Sequence, residues 1–414
     1  MTTAKPFQTA DQGFARLGWS TLAAQMAEQV ALAAAPLVAV LLLDAGPAET
    51  GLLQAAQTLP FLLLSIPVGI LIDRASKRNL MVVGEALRAL SIGGLIVLLL
   101  AGRLDLPLLA GLGFVGAVGT VCFSVAAPAF VPLIVPRDEL TSANRWLELA
   151  RSGAFVAGPA LGGALVGWTS ASLAYGIAIA LSLLAVGLLM TLTEPTMIPP
   201  PRRSVSAELR EGLAFVVGHP FLRPICLTAM FFNLSWFVMQ GVFTPYAIGD
   251  LGLDASGVGL ILGTYGAGLL LGAVLTPALG RVFGVGRLIL IGPLCGAAGA
   301  VLMLSTLWLP SGVLAAAGYF LFGAGPMIWT ITTMSLRQAV TPNQMLGRVS
   351  AVIVTATTGA APLGAALGAF VADRFGIGAC LYVAMAGFLI QLGIIAASEV
   401  RGLKTLPTGP VATA

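Results

Sequence analysis

Charge is scarce in this chain. Only 9% of its 414 residues are Asp, Glu, Lys or Arg, against about 25% in an ordinary soluble protein, so it cannot present a charged surface to water all round. Histidine occurs once, at His219, and the four cysteines, Cys122, Cys226, Cys295 and Cys380, stand far apart in apolar stretches. Pairing or metal binding needs close, oriented cysteines, so these read as small hydrophobes and no metal is expected. No G-x-x-x-x-G-K-[ST] phosphate loop is present, which removes the equipment for ATP hydrolysis. Paired intramembrane aspartates and Ser/His arrangements are missing too, so an enzyme is not expected and no cofactor is called for. Nor do basic residues interleave with aromatics outside the apolar stretches, which excludes a nucleic-acid partner.

What the chain has instead is apolar length. Hydrophobic residues make up 58% and the mean hydropathy is +0.98. A bilayer-crossing helix needs about 20 apolar residues, and twelve such runs occur: 18–43, 49–72, 79–101, 106–135, 145–167, 172–192, 222–247, 255–279, 287–308, 312–336, 347–372 and 377–397. The expected fold is therefore an all-α polytopic membrane protein, with the lipid bilayer as a partner. Residues 1–17 are polar and the first apolar run is too long for a signal core, so an uncleaved first span is expected. With the N-terminus inside, only Arg103 and Arg374 of the 21 basic residues fall in outer loops, while Arg88 and Arg151 lie within spans. That asymmetry places both termini in the cytoplasm. Compactness and richness in Ala and Gly suit a bacterial protein of the inner (plasma) membrane.

The chain also repeats itself. Gly158-Pro159-Ala160-Leu161-Gly162-Gly163 follows Arg145, and Pro362 follows Arg348 in another run of small residues, with the same interval from arginine to proline in both copies. Proline lacks the backbone donor, and glycine is a poor helix former. A membrane helix accepts both where a neighbour packs closely or the helix bends. Two copies suggest two pseudo-symmetric six-helix halves, a transporter's layout. The expected division is 1–192 and 222–400 for the halves, 193–221 for a cytoplasmic linker and 401–414 for a tail. Within the linker, Leu209, Leu213 and Val216 recur at helical spacing after Ser204 or Ser206 as N-cap, which predicts a short amphipathic helix on the inner membrane surface.

Ionisable residues inside spans are functional candidates by default. Glu28 lies roughly 15 Å into span one at about 1.5 Å per residue, flanked by Gln25 and Gln29. It could pass a proton across the membrane, counter a cationic cargo, or make a structural hydrogen bond to another helix. Glu85 and Arg88 are three apart and can meet on one helix face as an ion pair. Arg145, Glu148 and Arg151 repeat that spacing in span five, as a gate network or as solvated interfacial charges. Trp236 and Trp329 are interior, while Trp19, Trp146, Trp168 and Trp308 fall near span ends, as an aromatic belt requires. Asn233, Trp236 and Gln240 share one face of span seven.

Gly69-Ile70-Leu71-Ile72-Asp73-Arg74-Ala75-Ser76-Lys77-Arg78 resembles the major facilitator superfamily loop G-x-L-x-D-R-x-G-[RK]-[RK], with Ser76 in place of the family glycine. The resemblance implies a gating role for Gly69, Asp73, Arg74, Lys77 and Arg78: Gly69 admits another helix, Asp73 faces a helix N-terminus and Arg74 pairs with an acid. Gly158, Pro159, Gly162 and Gly163 resemble the signature of the superfamily's drug–proton antiporters. Leu140-Thr141-Ser142-Ala143-Asn144, the linker from Glu208 to Pro220, and Glu85-x-x-Arg88 resemble the macrolide and siderophore exporters. The family fold implies a central cavity lined by spans 1, 4, 7 and 10, here Gln25, Glu28, Gln29, Phe123, Asn233, Trp236, Gln240 and Trp329. Such a cavity suits a small amphipathic cargo, drug-like or siderophore-like, exported by a monomer in exchange for protons. The alternatives are a lipid or lysolipid flippase, an uncoupled facilitator, or a sensor or scaffold. One departure matters: antiporters of this kind carry an arginine in helix 4, and residues 106–135 hold no charge, so the proton step is expected at Glu28.

Overall fold

The computed structural model describes residues 10–72, 75–136, 140–194, 205–342 and 345–407. Among them the chain forms thirteen α-helices and no strand: α1 (Ala10–Leu42), α2 (Pro47–Ile72), α3 (Lys77–Leu100), α4 (Leu106–Ile134), α5 (Leu140–Trp168), α6 (Ala171–Met190), α7 (Val205–Gly218), α8 (Leu222–Gly249), α9 (Ala255–Val282), α10 (Val285–Ser305), α11 (Gly312–Val340), α12 (Leu346–Phe375) and α13 (Ile377–Ala397). All except α7 are long and apolar enough to cross a membrane. Several outrun the apolar stretches. α1 and α5 both start ahead of their runs, because backbone hydrogen bonding continues past the hydrocarbon into polar sequence. Helix starts carry local signals: Pro47 opens α2, and the side chains of Ser76, Asp105, Ser170, Asp254 and Ser311 accept amides at the first turns of α3, α4, α6, α9 and α11.

The two halves are α1–α6 and α8–α13, and their packing corresponds. α1 lies on α5 as α8 lies on α12, and α3 lies on α4 as α10 lies on α11. They meet through α5 against α9 and through α12 against α2, which are again corresponding pairs. Lipid is as apolar as leucine, so helices in a bilayer gain little from hydrophobicity and associate through close packing of small residues.

The glycine–proline element of α5 is where that happens. A Cβ placed on Gly158 would overlap the Gln29 Cβ, and one on Gly162 would lie 2.9 Å from the Val30 carbonyl oxygen, so both glycines seat α1. Gly163 turns the other way, with a Cβ there only 2.5 Å from the Ala255 carbonyl oxygen and 2.6 Å from the Gly259 Cα of α9. The α5–α9 contact runs from Phe155 and Gly266 to Gly167 and Ser256, the stretch farthest from the linker. On the corresponding side of the molecule, a Cβ placed on Gly51 of α2 would lie 2.9 Å from Ala369 of α12, at the same end. The halves are thus clamped together at the end away from α7. Towards the α7 end, Glu148 and Arg151 of α5 are half exposed. Both α5 and α12 continue as single helices through Pro159 and Pro362, so the small residues around the prolines serve close approach.

The linker helix α7 docks on protein. Its Val216 is buried, with Leu209 and Phe215 packed against the core of the second half, and Gly212 sits against the backbone of Arg348. Arg348 donates to Glu211 at 2.5 Å and to Glu208 at 3.4 Å. Leu213, expected on the same face as Leu209 and Val216, is instead exposed, because the packed face is centred on Gly212. Ser204 lies outside the described residues, and Ser206 falls within the helix. At the end of the linker His219 is fully buried, its Nδ1 accepting the amides of Phe221 and Leu222, and burial pushes its pKa down.

Gly163→Val places a branched side chain where backbone atoms already stand. The expected outcome is a protein that inserts in the membrane but melts at a lower temperature in detergent and loses transport at least tenfold (about 1.4 kcal/mol). Gly111→Ala on α4, where a Cβ meets nothing within 4 Å, should leave both unchanged.

Candidate functional site

A cavity of about 400 Å³ lies between the halves. Its first wall comes from the N-terminal half: Glu28 and Gln29 of α1, Gln54, Gln57, Thr58 and Phe61 of α2, Arg88 and Ser91 of α3, and Thr120 of α4. Its second wall comes from the C-terminal half and is aromatic, with Phe232, Trp236, Phe237, Tyr265 and Tyr319, together with Asn233 and Gln240. Phe155 and Pro159 of α5 close the seam.

The first wall is organised by Arg88. Its Nη1 donates to Glu85 Oε1 at 2.5 Å and to the Ala24 carbonyl at 3.0 Å; its Nη2 donates to Thr120 Oγ1 at 2.7 Å and reaches Glu28 Oε2 at 3.3 Å. One guanidinium therefore ties α3 to α1 and α4, an arrangement its fork of donors allows and an ammonium would not. Glu85 is fully buried behind it, while Glu28 keeps 15% of its side chain exposed towards the cavity. Read from spacing, Glu85 and Arg88 form a local pair; in the structure Glu28 joins them from another helix, α1, distant in sequence. The positive charge that span four lacks stands against that span on Thr120, delivered from α3.

Other expected residues are distributed more widely. Glu28, Gln29, Asn233, Trp236 and Gln240 line the cavity. Gln25, Phe123 and Trp329 do not. Gln25 is half-buried, one turn closer to the linker end than Glu28. Phe123 is 2% exposed inside the core of the first half, one turn past Thr120. Trp329 stands well round the helix from Tyr319, about 80° at about 100° per residue, and packs against Gly292 of α10. Sequence reasoning missed Gln54, Gln57, Tyr265 and Tyr319. The two glutamines at i and i+3 within an apolar span were the available signal.

The cytoplasmic-loop motif and the α5 charges also read differently in three dimensions. Asp73 and Arg74 lie outside the described residues, as does the side chain of Arg145. Among the described residues, a Cβ on Gly69 would meet nothing within 4 Å, so no close helix approach is made at that glycine there. Glu148 and Arg151 pair at 3.0 Å, both about half exposed, and Arg151 sits 5.7 Å from the centre of the Phe155 ring. The residue that holds the start of α3 is one the motif does not contain. Glu194, just after α6, accepts the amides of Lys77 at 2.8 Å and Arg78 at 3.1 Å and the hydroxyl of Ser76, while Arg78 Nη1 donates to the Leu192 carbonyl at 3.1 Å. Ser76, the departure from the family glycine, also accepts from Asn79 N, so it caps α3 and is held by Glu194 at once. Partial burial pushes the Glu194 carboxyl up, but the hydrogen bonds from Ser76, Lys77 and Arg78 with the Lys77 charge outweigh it and leave the carboxyl below its usual range.

Twelve membrane-length helices in two corresponding halves, with a cavity at their interface, define a transporter of the major facilitator kind. The chain belongs to the transmembrane secretion effector family, whose model matches residues 2–412. It is 22% identical over 334 residues to macrolide efflux protein A of Streptococcus pyogenes, covering 77% of this chain and 79% of that protein. It is 26% identical over 306 residues to the enterobactin exporter EntS of Escherichia coli O1:K1 / APEC, covering 72% and 71%. Among solved structures, it matches a bacterial homologue of the iron transporter ferroportin in its inward-facing state with a TM-score of 0.74 at 19% identity, over 94% of this chain and 99% of that one. The chain is thus a multi-pass membrane transporter acting on a small molecule, and not an enzyme.

Glu194→Ala removes the acceptor of two amides and a hydroxyl at the start of α3, and is expected to cost about 1 kcal/mol. Because the folded carboxyl titrates below its ordinary value, its contribution is present above the unfolded pKa of about 4.3 and is lost as pH falls through the folded value. Melting curves of wild type and variant should differ at pH 7 and converge in acid; a constant gap across pH would contradict the assignment.

Proposed function

We propose that the protein exports an amphipathic organic compound by alternating access, in exchange for protons taken up at Glu28. The observation that carries this reading is the ratio of charges in the first wall: two carboxylates, Glu28 and Glu85, face one guanidinium, Arg88. With both acids ionised the cluster holds one surplus negative charge in an apolar bundle, and one proton neutralises it. Glu28 is the acid that faces the cavity and makes the longer contact, so it can exchange the proton while Glu85 stays with Arg88. A proton on Glu28 loosens the tie from α1 to α3. The next residue, Gln29, presses on Gly158, and the other side of that α5 segment meets α9. A shift of α1 therefore reaches the contact that clamps the halves. A cation in the cargo would compete for the same surplus charge, which is how proton and cargo would exclude one another.

Efflux accords with the relatives named for macrolide and enterobactin export. The bias of basic residues puts the linker end in the cytoplasm, so the clamped end is the outer one and the cavity is poised for loading from inside. The reading includes residence in a bacterial plasma membrane, cytoplasmic termini and action as a monomer. In proteoliposomes, Glu28→Gln should abolish transport driven by a pH gradient, with the protein still folded, since the amide keeps the shape of the carboxylate. Unchanged coupling would remove Glu28 from the mechanism, and wild-type transport indifferent to the gradient would favour an uncoupled facilitator. Arg88→Met, by contrast, strands two acids and is expected to cost about 3–5 kcal/mol, visible as failure to accumulate in the membrane.

A further inference from the structure

The second wall holds hydrogen-bonding groups whose orientation is already fixed. A glutamine amide offers either its oxygen or its nitrogen by turning about its last bond. For Gln240 one orientation is favoured, because Oε1 is the acceptor of the Tyr319 hydroxyl among the described residues and turning the amide would leave that O–H without one. The Tyr319 hydroxyl donates to Gln240 Oε1 at 2.9 Å, and Tyr319 is itself fully buried, its ring 4.4 Å from that of Phe243 and 5.3 Å from that of Trp236. The Gln240 Nε2 hydrogens are what remains for the cavity.

Trp236 is fixed in the same way. Tyr265 stacks on it at 5.0 Å and Phe232 lies nearly parallel at 6.5 Å, with Tyr319 and Phe322 edge-on. Among the described residues its indole N–H has no partner, although the residue lines the cavity. Trp236 and Gln240 lie about one turn apart on the same face of α8, so two fixed donors stand side by side in an aromatic setting. Across the cavity, Arg88 gives both amino groups to protein partners, Ser91 and Thr58 donate to the carbonyls of Leu112 and Gln54, and the lining amides of Gln29, Gln54 and Gln57 can offer oxygen or nitrogen alike. The donors whose orientation is fixed by a neighbouring side chain belong to the second wall.

We infer that Trp236 and Gln240 form an acceptor-binding subsite, which selects a cargo bearing a carbonyl, ether or hydroxyl oxygen on an apolar ring system. Tyr319 is a positioning residue that keeps the Gln240 amide nitrogen turned inward. This rests on the exporter reading and deepens it: the ring lies against the aromatic wall, its oxygen meets the two donors, and any basic group points to Glu28. A cargo without the oxygen leaves both donors unpaired, and a site built to hydrogen-bond rejects an analogue lacking the matching group.

The test uses the full-length protein in nanodiscs and two fluorescent probes with the same aminoalkyl tail, a 1,8-naphthalimide, whose ring carries carbonyl oxygens, and a naphthalene, whose ring does not. Binding is corrected for uptake by empty nanodiscs. Wild type should bind the naphthalimide about tenfold more tightly, the worth of one to two net hydrogen bonds. Tyr319→Phe, which frees the amide to turn, and Gln240→Leu, which removes it, should both bring that ratio towards one while naphthalene affinity is kept. Equal affinities in wild type, or variants that weaken both probes by the same factor, would overturn the subsite. Efflux of the naphthalimide from proteoliposomes, with and without a pH gradient, separates the two readings: selective binding without transport keeps the subsite and sinks the exporter, and transport without selectivity does the reverse.

Discussion

A guanidinium in the middle of an apolar bundle has to be neutralised where it stands. Arg88 meets that requirement with two acids, a hydroxyl and a backbone carbonyl, drawn from α1, α3 and α4. The requirement fixes how the three helices stand to one another in the first half. Under the proposed coupling it would also make the region respond to a single proton, because the attraction between close charges is large in a medium that screens weakly. Water would blunt both effects. In lipid, the group that orders the first half is also the one whose balance the proposed proton on Glu28 would change.

Around that fixed point the helices approach through glycine. Gly158 and Gly162 seat α1, and Gly163 seats α9, so one short element of α5 touches both the helix that carries Glu28 and the opposite half. In the second copy, Gly364 and Gly368 of α12 seat α8, and Ala361, Ala365 and Ala366 stand where the first copy has Gly158, Gly162 and Gly163. The pairing of helices is preserved while the residues in closest contact are displaced along the turn. A contact made by backbone atoms at van der Waals distance has no slack, and the interface either holds or separates as a unit.

The helices and their number were legible because each rests on a long apolar run, and the role of small residues was legible because composition and spacing are local. Glu28 was legible as a cost: a carboxyl at that depth has to be answered by something. What answers it was not, because Arg88 belongs to a different helix far along the chain, and its i, i+3 relation to Glu85 offered a nearer explanation. Phe123 and Trp329 show the converse error. Membership of a helix that lines the cavity does not place a residue on the lining face, and at about 100° per residue a uniformly apolar helix carries little pattern to say which face that is. Glu194 lay hidden for another reason. It sits in no periodic element, and only the folded chain brings the first-turn amides of α3 beside it.

The two halves share a scaffold and divide the chemistry. Symmetry of helix packing would give a cavity two equivalent walls, and nothing in the packing forbids it. Yet the first wall concentrates ionisable groups held by one another, and the second concentrates rings with donors held by a tyrosine. That division has a physical advantage for a carrier. A proton-binding cluster needs acids close enough to feel one charge, and a cargo-binding surface needs apolar area with few, well-placed polar groups. Set on one wall, the rings would crowd out the polar partners the acids require. Set on opposite walls, each keeps its own environment, and in the proposed mechanism a cargo that bridged them would be the object through which one half senses the other.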